Sequence, residues 1–220
     1  MAEQTPDPDV GQTHADSLEA LAARVAVCTR CPLAATRTQT VFGEGNPDAP
    51  LVIVGEGPGE QEDQTGRPFV GRAGMLLDEC LLANGITRRH VYICNAVKCR
   101  ACIIEGRRAR NRPPTPDEMA ACYPWLTEQL GILRPLVILS VGAPSAKTLI
   151  DPAFQIMRQR GQWRDGGAHC RHIMAVLHPA FILRHGGEEF ERLRQTLIDD
   201  IGSARRKVIE AKKQPQPALF

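Results

Sequence analysis

The chain has 220 residues, 43% of them apolar, and a formal net charge of +2. That length suits one compact domain with short tails, and no apolar run approaches the roughly 20 residues needed to span a bilayer. The near-balanced charge does not by itself announce a nucleic-acid partner, and the opening MAEQTPDPDV has no basic stretch followed by an apolar one, so no secretory signal is expected.

In chain order, residues 1–15 are rich in Pro, Asp, Thr and Gln and read as a disordered tail. Asp16 is placed to cap a helix through about Val27. PLVIVG at 50–55 is a short apolar run closed by glycine, the mark of a buried strand. GMLLDECLLANG at 74–85 has helical spacing and a glycine stop. HVYICNAV at 90–97 is β-rich. Thr115 with Glu118 three residues later predicts a capping box before EMAACYPWLTEQL. PLVILSVG at 135–142 and HIMAVL at 172–177 are the third and fourth strands, and a helix is expected from about Glu188 to Ile201. Residues 203–220 read as a basic tail, which leaves 16–202 as the domain. Strands separated by helices imply an α/β fold: a three-layer αβα sandwich around a central, mostly parallel four-stranded sheet.

In such sheets ligands bind beyond the carboxyl ends of the strands. Four segments far apart in sequence should meet there: GEGPGEQED after the first strand, Asn95, the 142–145 turn and His178-Pro179. The glycines at 55, 57 and 59 are spaced wrongly for a dinucleotide loop, and Glu56, Glu60, Glu62 and Asp63 would repel a pyrophosphate. They suit close approach of backbone, Gly57 included, to a small flat ligand. Phe69, between Pro68 and two glycines, is an aromatic able to stack on a base. Arg72 opens a helix whose first amides can hold a phosphate. Arginines cluster at 107–112, so that a phosphate-facing surface and an acidic pocket separate along the chain.

The 8 cysteines are expected as thiols or metal ligands in a reducing cytoplasm. Cys28-x-x-Cys31 can clamp a metal or cluster from one turn. Cys99 and Cys102 make a second such pair, and Cys122 competes with Cys102; spacing leaves both sets open. Cys80, Cys94 and Cys170 lie in apolar segments and read as core thiols.

GEGPGEQEDQTGRPFVGRAG, NAVKCR, TPDEMAAC and HPAFILR together resemble the motifs of the type 4 uracil-DNA glycosylases, over most of the chain from Cys28 to about Arg184. The resemblance implies a [4Fe–4S] cluster on Cys28, Cys31, Cys99 and Cys122. It also implies stacking of Phe69 on uracil, reading of the base edge by Asn95, and a bond from His178 to the uracil oxygen beside the glycosidic nitrogen. Glu62 and Glu56 would be the catalytic and pocket-shaping carboxylates. The implied partner is uracil-containing DNA, met by a monomer with no membrane association. DNA contacts are expected from Arg72, Arg107, Arg108, Arg110 and Arg184, with Ile182 or Leu183 as a wedge into the vacated stack. One insertion, ACIIEGRRARNRPP, is similar to the arginine-rich loop of a branch that attaches covalently to DNA through a histidine; this one holds no histidine, so turnover is expected.

Overall fold

The computed structural model describes residues 13–106 and 108–213. Most of the disordered tail expected at 1–15, the arginine at 107 and the tail beyond 213 lie outside the described residues; His14 and Ala15 already belong to a helix, because Thr13 caps it.

The chain runs α1 (His14–Ala26), β1 (Glu44–Gly45), β2 (Leu51–Gly55), α2 (Glu60–Thr65), α3 (Arg72–Leu82), β3 (Tyr92–Asn95), β4 (Cys102–Glu105), β5 (Arg108–Asn111), α4 (Pro116–Leu133), β6 (Val137–Val141), α5 (Ala143–Leu149), α6 (Ile156–Gln159), β7 (Arg164–Asp165), β8 (His172–Val176), α7 (Pro179–Ile182) and α8 (Gly187–Lys213). The main sheet has the order β1-β3-β2-β6-β8-β7. Its four inner strands, β3, β2, β6 and β8, are mutually parallel.

The expected four-strand count is therefore corrected to six. The two extra strands, β1 and β7, pair antiparallel at the edges and are only two residues long. An apolar run cannot develop over two residues, so no periodic signal marks them.

Alternation along the inner strands explains the layering, because neighbouring side chains leave opposite faces of a sheet. Ile53, Ile93, Leu139 and Met174 pack with Leu76 and Leu77 of α3 and Leu193, Leu197 and Ile201 of α8. Val52, Val54, Ile138 and Ile173 pack with Leu126, Leu130 and Leu133 of α4 and Leu18 of α1. The result is helices on both faces of the sheet, as expected for parallel strands.

Three local expectations change. Thr13, not Asp16, caps α1: its hydroxyl accepts from the Asp16 amide (3.2 Å), while Asp16 accepts from the Thr13 amide (3.0 Å), which makes Asp16 the far half of a capping box. Helix α8 continues past Ser203 to Lys213, because Ala204 and Ala211 are buried and hold the extra turns down. The arginine-rich insertion is a hairpin, β4 against β5, not an irregular loop. Thr115 and Glu118 do form the predicted capping box of α4.

Candidate active site

The strand order places the carboxyl ends of β3, β2, β6 and β8 in a row, and the side chains expected to carry chemistry gather there. Asn95 ends β3 and is paired in register with Gly55, the last residue of β2. A Cβ on Gly55 would fall 2.4 Å from Asn95 Oδ1 and 2.6 Å from Phe69 Cζ. Only glycine therefore lets the amide and the ring share that face. The Phe69 ring in turn stacks on the His178 imidazole, with centroids 5.9 Å apart and planes 27° from parallel. Three residues from three separate segments thus form one cluster, and Asn95 is 2% exposed.

Phe69 is held there at a conformational cost. Its φ is +52°, unusual for a side chain with a Cβ. Its carbonyl lies on the start of α3, where a Cβ at position 74 would be 1.7 Å from the Phe69 oxygen, which requires Gly74. Arg88 secures the loop by donating to the carbonyls of Pro68 (2.9 Å) and Phe69, while its charge is met by Glu44 (2.6 Å) and Asp78 (2.9 Å). Nothing in the TRRH segment signals this role, and sequence reasoning missed it.

His178 is both a structural cap and a free donor. It is the N-cap of α7, and its Nδ1 accepts from the Ala180 amide at 3.0 Å. An accepting Nδ1 leaves the proton of the neutral ring on Nε2. Burial pushes the imidazole down to about 4, with Arg184 adding to the fall and Glu62 opposing it, so the ring is neutral near pH 7.

The carboxylates divide. Glu62 was expected to act catalytically. Both of its oxygens are instead committed to backbone: Oε2 accepts from Gly59 (3.0 Å), and Oε1 from Val70 (2.9 Å) and Gly71 (2.8 Å). It pins the glycine-rich turn to the Phe69 loop. Glu62→Ala would leave those three amides without their acceptor and is expected to cost about 3 kcal/mol or more of stability, measured by urea unfolding; a loss under about 0.5 kcal/mol would contradict the pinning role. Glu56 is half-buried, burial raises its carboxyl above the usual range against the pull of Arg184, and it lines an open groove of about 740 Å³. Gly57 lies beside Val97 and Pro114, where an added methyl group would make ordinary contacts at 3.6 and 3.9 Å.

The expected DNA contacts surround this cluster unevenly. Arg72 and Arg184 are exposed. Arg108 and Arg110 are exposed on β5, with Arg110 3.6 Å from Glu105. Arg112 is committed elsewhere: it forks onto Glu118 at 2.6 and 2.7 Å and belongs to the α4 cap. Ile182 is fully buried in the core, which excludes it as a wedge; Leu183 is only partly covered.

The sequence profile of the uracil DNA glycosylase superfamily matches residues 42–202, which includes every member of the cluster. The chain belongs to this superfamily. A type-4 uracil-DNA glycosylase of Thermotoga maritima is 44% identical over 88% of this chain and 95% of its own length. Type-4 enzymes of Pyrobaculum aerophilum (40% identical, 71% of this chain and 80% of the relative) and Archaeoglobus fulgidus (36%, 93% and 98%) are similar too.

The cysteines left open by spacing are placed differently in this superfamily member. Cys28, Cys31, Cys99 and Cys122 line one cavity between α1, α4 and the segment after β3. Cys102, buried at the start of β4, does not line it. Three N–H groups point at the sulfurs: Arg37 Nη1 to Cys99 (3.3 Å), Trp125 Nε1 to Cys28 (3.2 Å) and the Lys98 amide to Cys122 (3.3 Å). Burial pushes the Cys99 thiol up to about 11 and raises Cys122, with Arg37 and Lys98 respectively pulling the other way. Among the described residues no three His, Cys, Asp or Glu side chains sit closely enough for a single metal ion. A zinc with bonds of about 2.3 Å would draw its sulfurs much closer together.

Proposed function

We propose that the chain removes uracil from DNA by hydrolysing the N-glycosidic bond, the first step of base excision repair, and that the Asn95–Phe69–His178 cluster receives the extruded base. The observation that carries this reading is the arrangement at His178: Nδ1 is used by the fold in accepting from the Ala180 amide, and the ring stacks beside Phe69 with its proton left on Nε2.

A base must leave the helix to be cut, at a cost of a few kcal/mol. Contacts from Arg72, Arg108, Arg110 and Arg184 to phosphates offset that cost. Leu183 fills the vacated stack. In the pocket Phe69 covers the face of the uracil. The Asn95 amide can both donate and accept along its polar edge, and it makes no side-chain hydrogen bond among the described residues to compete.

Bond cleavage leaves negative charge on the departing base and positive charge on the sugar. The neutral His178 donates its Nε2 proton as a hydrogen bond to the uracil oxygen on which charge develops, as an oxyanion hole does. Glu56, which follows Gly55 directly and lines the neighbouring groove, would steady the sugar cation or orient the attacking water. Glu62 acts through the backbone turns it joins, and Gly57 keeps the backbone between the two carboxylates free of side chain.

The four cysteines line one cavity from three segments of the chain, a donor set that suits a [4Fe–4S] cluster held by four thiolates. Such a cluster would supply a rigid tie between α1 and α4. The reading is completed by a monomer in a reducing cytoplasm, where cysteines serve as thiols or metal ligands.

The test is incubation with a uracil-containing oligonucleotide, followed by a denaturing gel. Free uracil and an alkali-labile strand in excess over protein are expected. A heat-stable protein–DNA band with no turnover would put the chain with the covalent branch; binding without base release would leave only a DNA-binding module.

A further inference from the structure

Lys98 is 1% exposed. A buried ammonium is costly unless its charge is met, and the groups around its Nζ are neutral: the Asn95 carbonyl at 2.8 Å, Gln129 Oε1 at 2.5 Å and the face of Phe42 at 5.7 Å. No carboxylate pairs with it among the described residues. Gln129 is itself fixed, its amide donating to the Phe42 carbonyl (3.1 Å) and the Tyr92 hydroxyl (3.3 Å), so the ammonium cannot be reached by a rearranged partner at small cost. The uncompensated charge does face something. Lys98 lines the four-cysteine cavity, and its positive charge acts on both Cys122 and Cys94. Arg37 is the cation on that cavity that donates to a sulfur. It is anchored to the Cys28 carbonyl (2.7 Å) and the Ala26 carbonyl (3.0 Å) and donates to Cys99 Sγ.

Three cationic residues therefore line the cavity with four cysteines and no carboxylate: Lys98 is buried, Arg37 is half-buried and donates to a sulfur, and Arg30 lies over the Trp125 ring. A cubane held by four thiolates is a net anion, and hydrogen bonds and nearby charge set its potential. We propose that Lys98 and Arg37 are the built-in counter-charge of the cysteine-held cluster, and that Lys98 fastens this charge to the base-reading strand end through the Asn95 carbonyl. The proposal rests on the cluster reading above. Lys98 is a positioning residue in this scheme: it touches no substrate, but it holds the turn between the residue that reads uracil and the ligands at 99 and 122.

The experiment is film voltammetry on protein purified with its iron intact, comparing the wild type with Lys98→Met, Arg37→Met and Arg37→Lys. Removing a positive charge beside the cluster makes adding an electron harder. Each methionine variant is expected to shift the midpoint potential negative, and Arg37→Lys to return it towards wild type. Lys98→Met should also narrow the preference for uracil over cytosine in excision assays, through the loosened Asn95. Should Lys98→Met not fold, Arg37→Met decides alone, since Arg37 is half-exposed: a negative shift supports the proposal. Wild-type potentials in the loaded methionine variants would overturn it. Wild-type protein without iron would instead overturn the cluster reading, and this inference with it.

Discussion

His178→Ala is expected to lower single-turnover uracil excision by about 10²- to 10³-fold, the usual cost of deleting one donor to a developing oxyanion. The donor is specified by the fold. Nδ1 is occupied by the Ala180 amide, so the proton sits on Nε2 whatever substrate arrives. Burial holds the ring neutral, so no proton need be lost or gained before the reaction. A pH dependence follows for stability. The imidazole titrates at about 4 in the fold against 6.5 for an ordinary histidine. The unfolded chain therefore binds more protons between these values. Stability from this group is full above about 6.5 and is lost as pH falls towards 4. His178→Ala should unfold with less acid sensitivity in that window, while its cap is weakened at all pH values. Excision within about twofold of wild type would remove His178 from the chemistry.

Cys122→Ala is expected to yield colourless protein without iron and to cost at least about 3 kcal/mol, which for a chain of this size lowers Tm by about 6–12 °C. Cys122 lies on α4, Cys28 and Cys31 follow α1, and Cys99 follows β3; losing the shared group unties all three segments. Arg100 would feel the change, since it braces the hairpin through Asn111 (2.7 Å) and the Ala109 carbonyl (3.2 Å) and so carries Arg108 and Arg110 with it. Cys102→Ala, by contrast, trims a core thiol away from the cavity and should keep its iron, at a cost of about 1 kcal/mol or less. Iron lost only from Cys102→Ala would show that the ligand set is wrong.

The inner sheet was legible in the sequence because parallel strands are buried on both faces and read as continuous apolar runs. LVIVG, VILSV and HIMAV stand out for that reason. The edge strands escaped because hydrogen bonds alone define them. The rule that ligands sit beyond strand carboxyl ends brought Asn95 and His178 together correctly, since strand order, not sequence distance, decides what meets. Roles were harder to read. A glutamate in a glycine-rich turn looks the same whether it faces a sugar or three backbone amides, and Glu62 faces the amides. An arginine in a basic cluster looks the same whether it meets phosphate or a neighbouring glutamate, and Arg112 meets Glu118. Lys98 sits in an apolar stretch between Asn95 and Cys99, the one hint that a charge was being buried on purpose. Arg88 left none, because its partners, two loop carbonyls and the carboxylates of Glu44 and Asp78, are brought near only by the fold.

In the proposed reaction the negative charge leaving with uracil is received by the preset proton of His178. The direct test is the His178→Ala deficit measured on two leaving bases, uracil and the more acidic 5-fluorouracil, in the same oligonucleotide. A better leaving base needs less help. The account expects the deficit to shrink clearly with 5-fluorouracil. An equal deficit on both bases would mean that His178 serves the pocket in some way other than by steadying the departing anion.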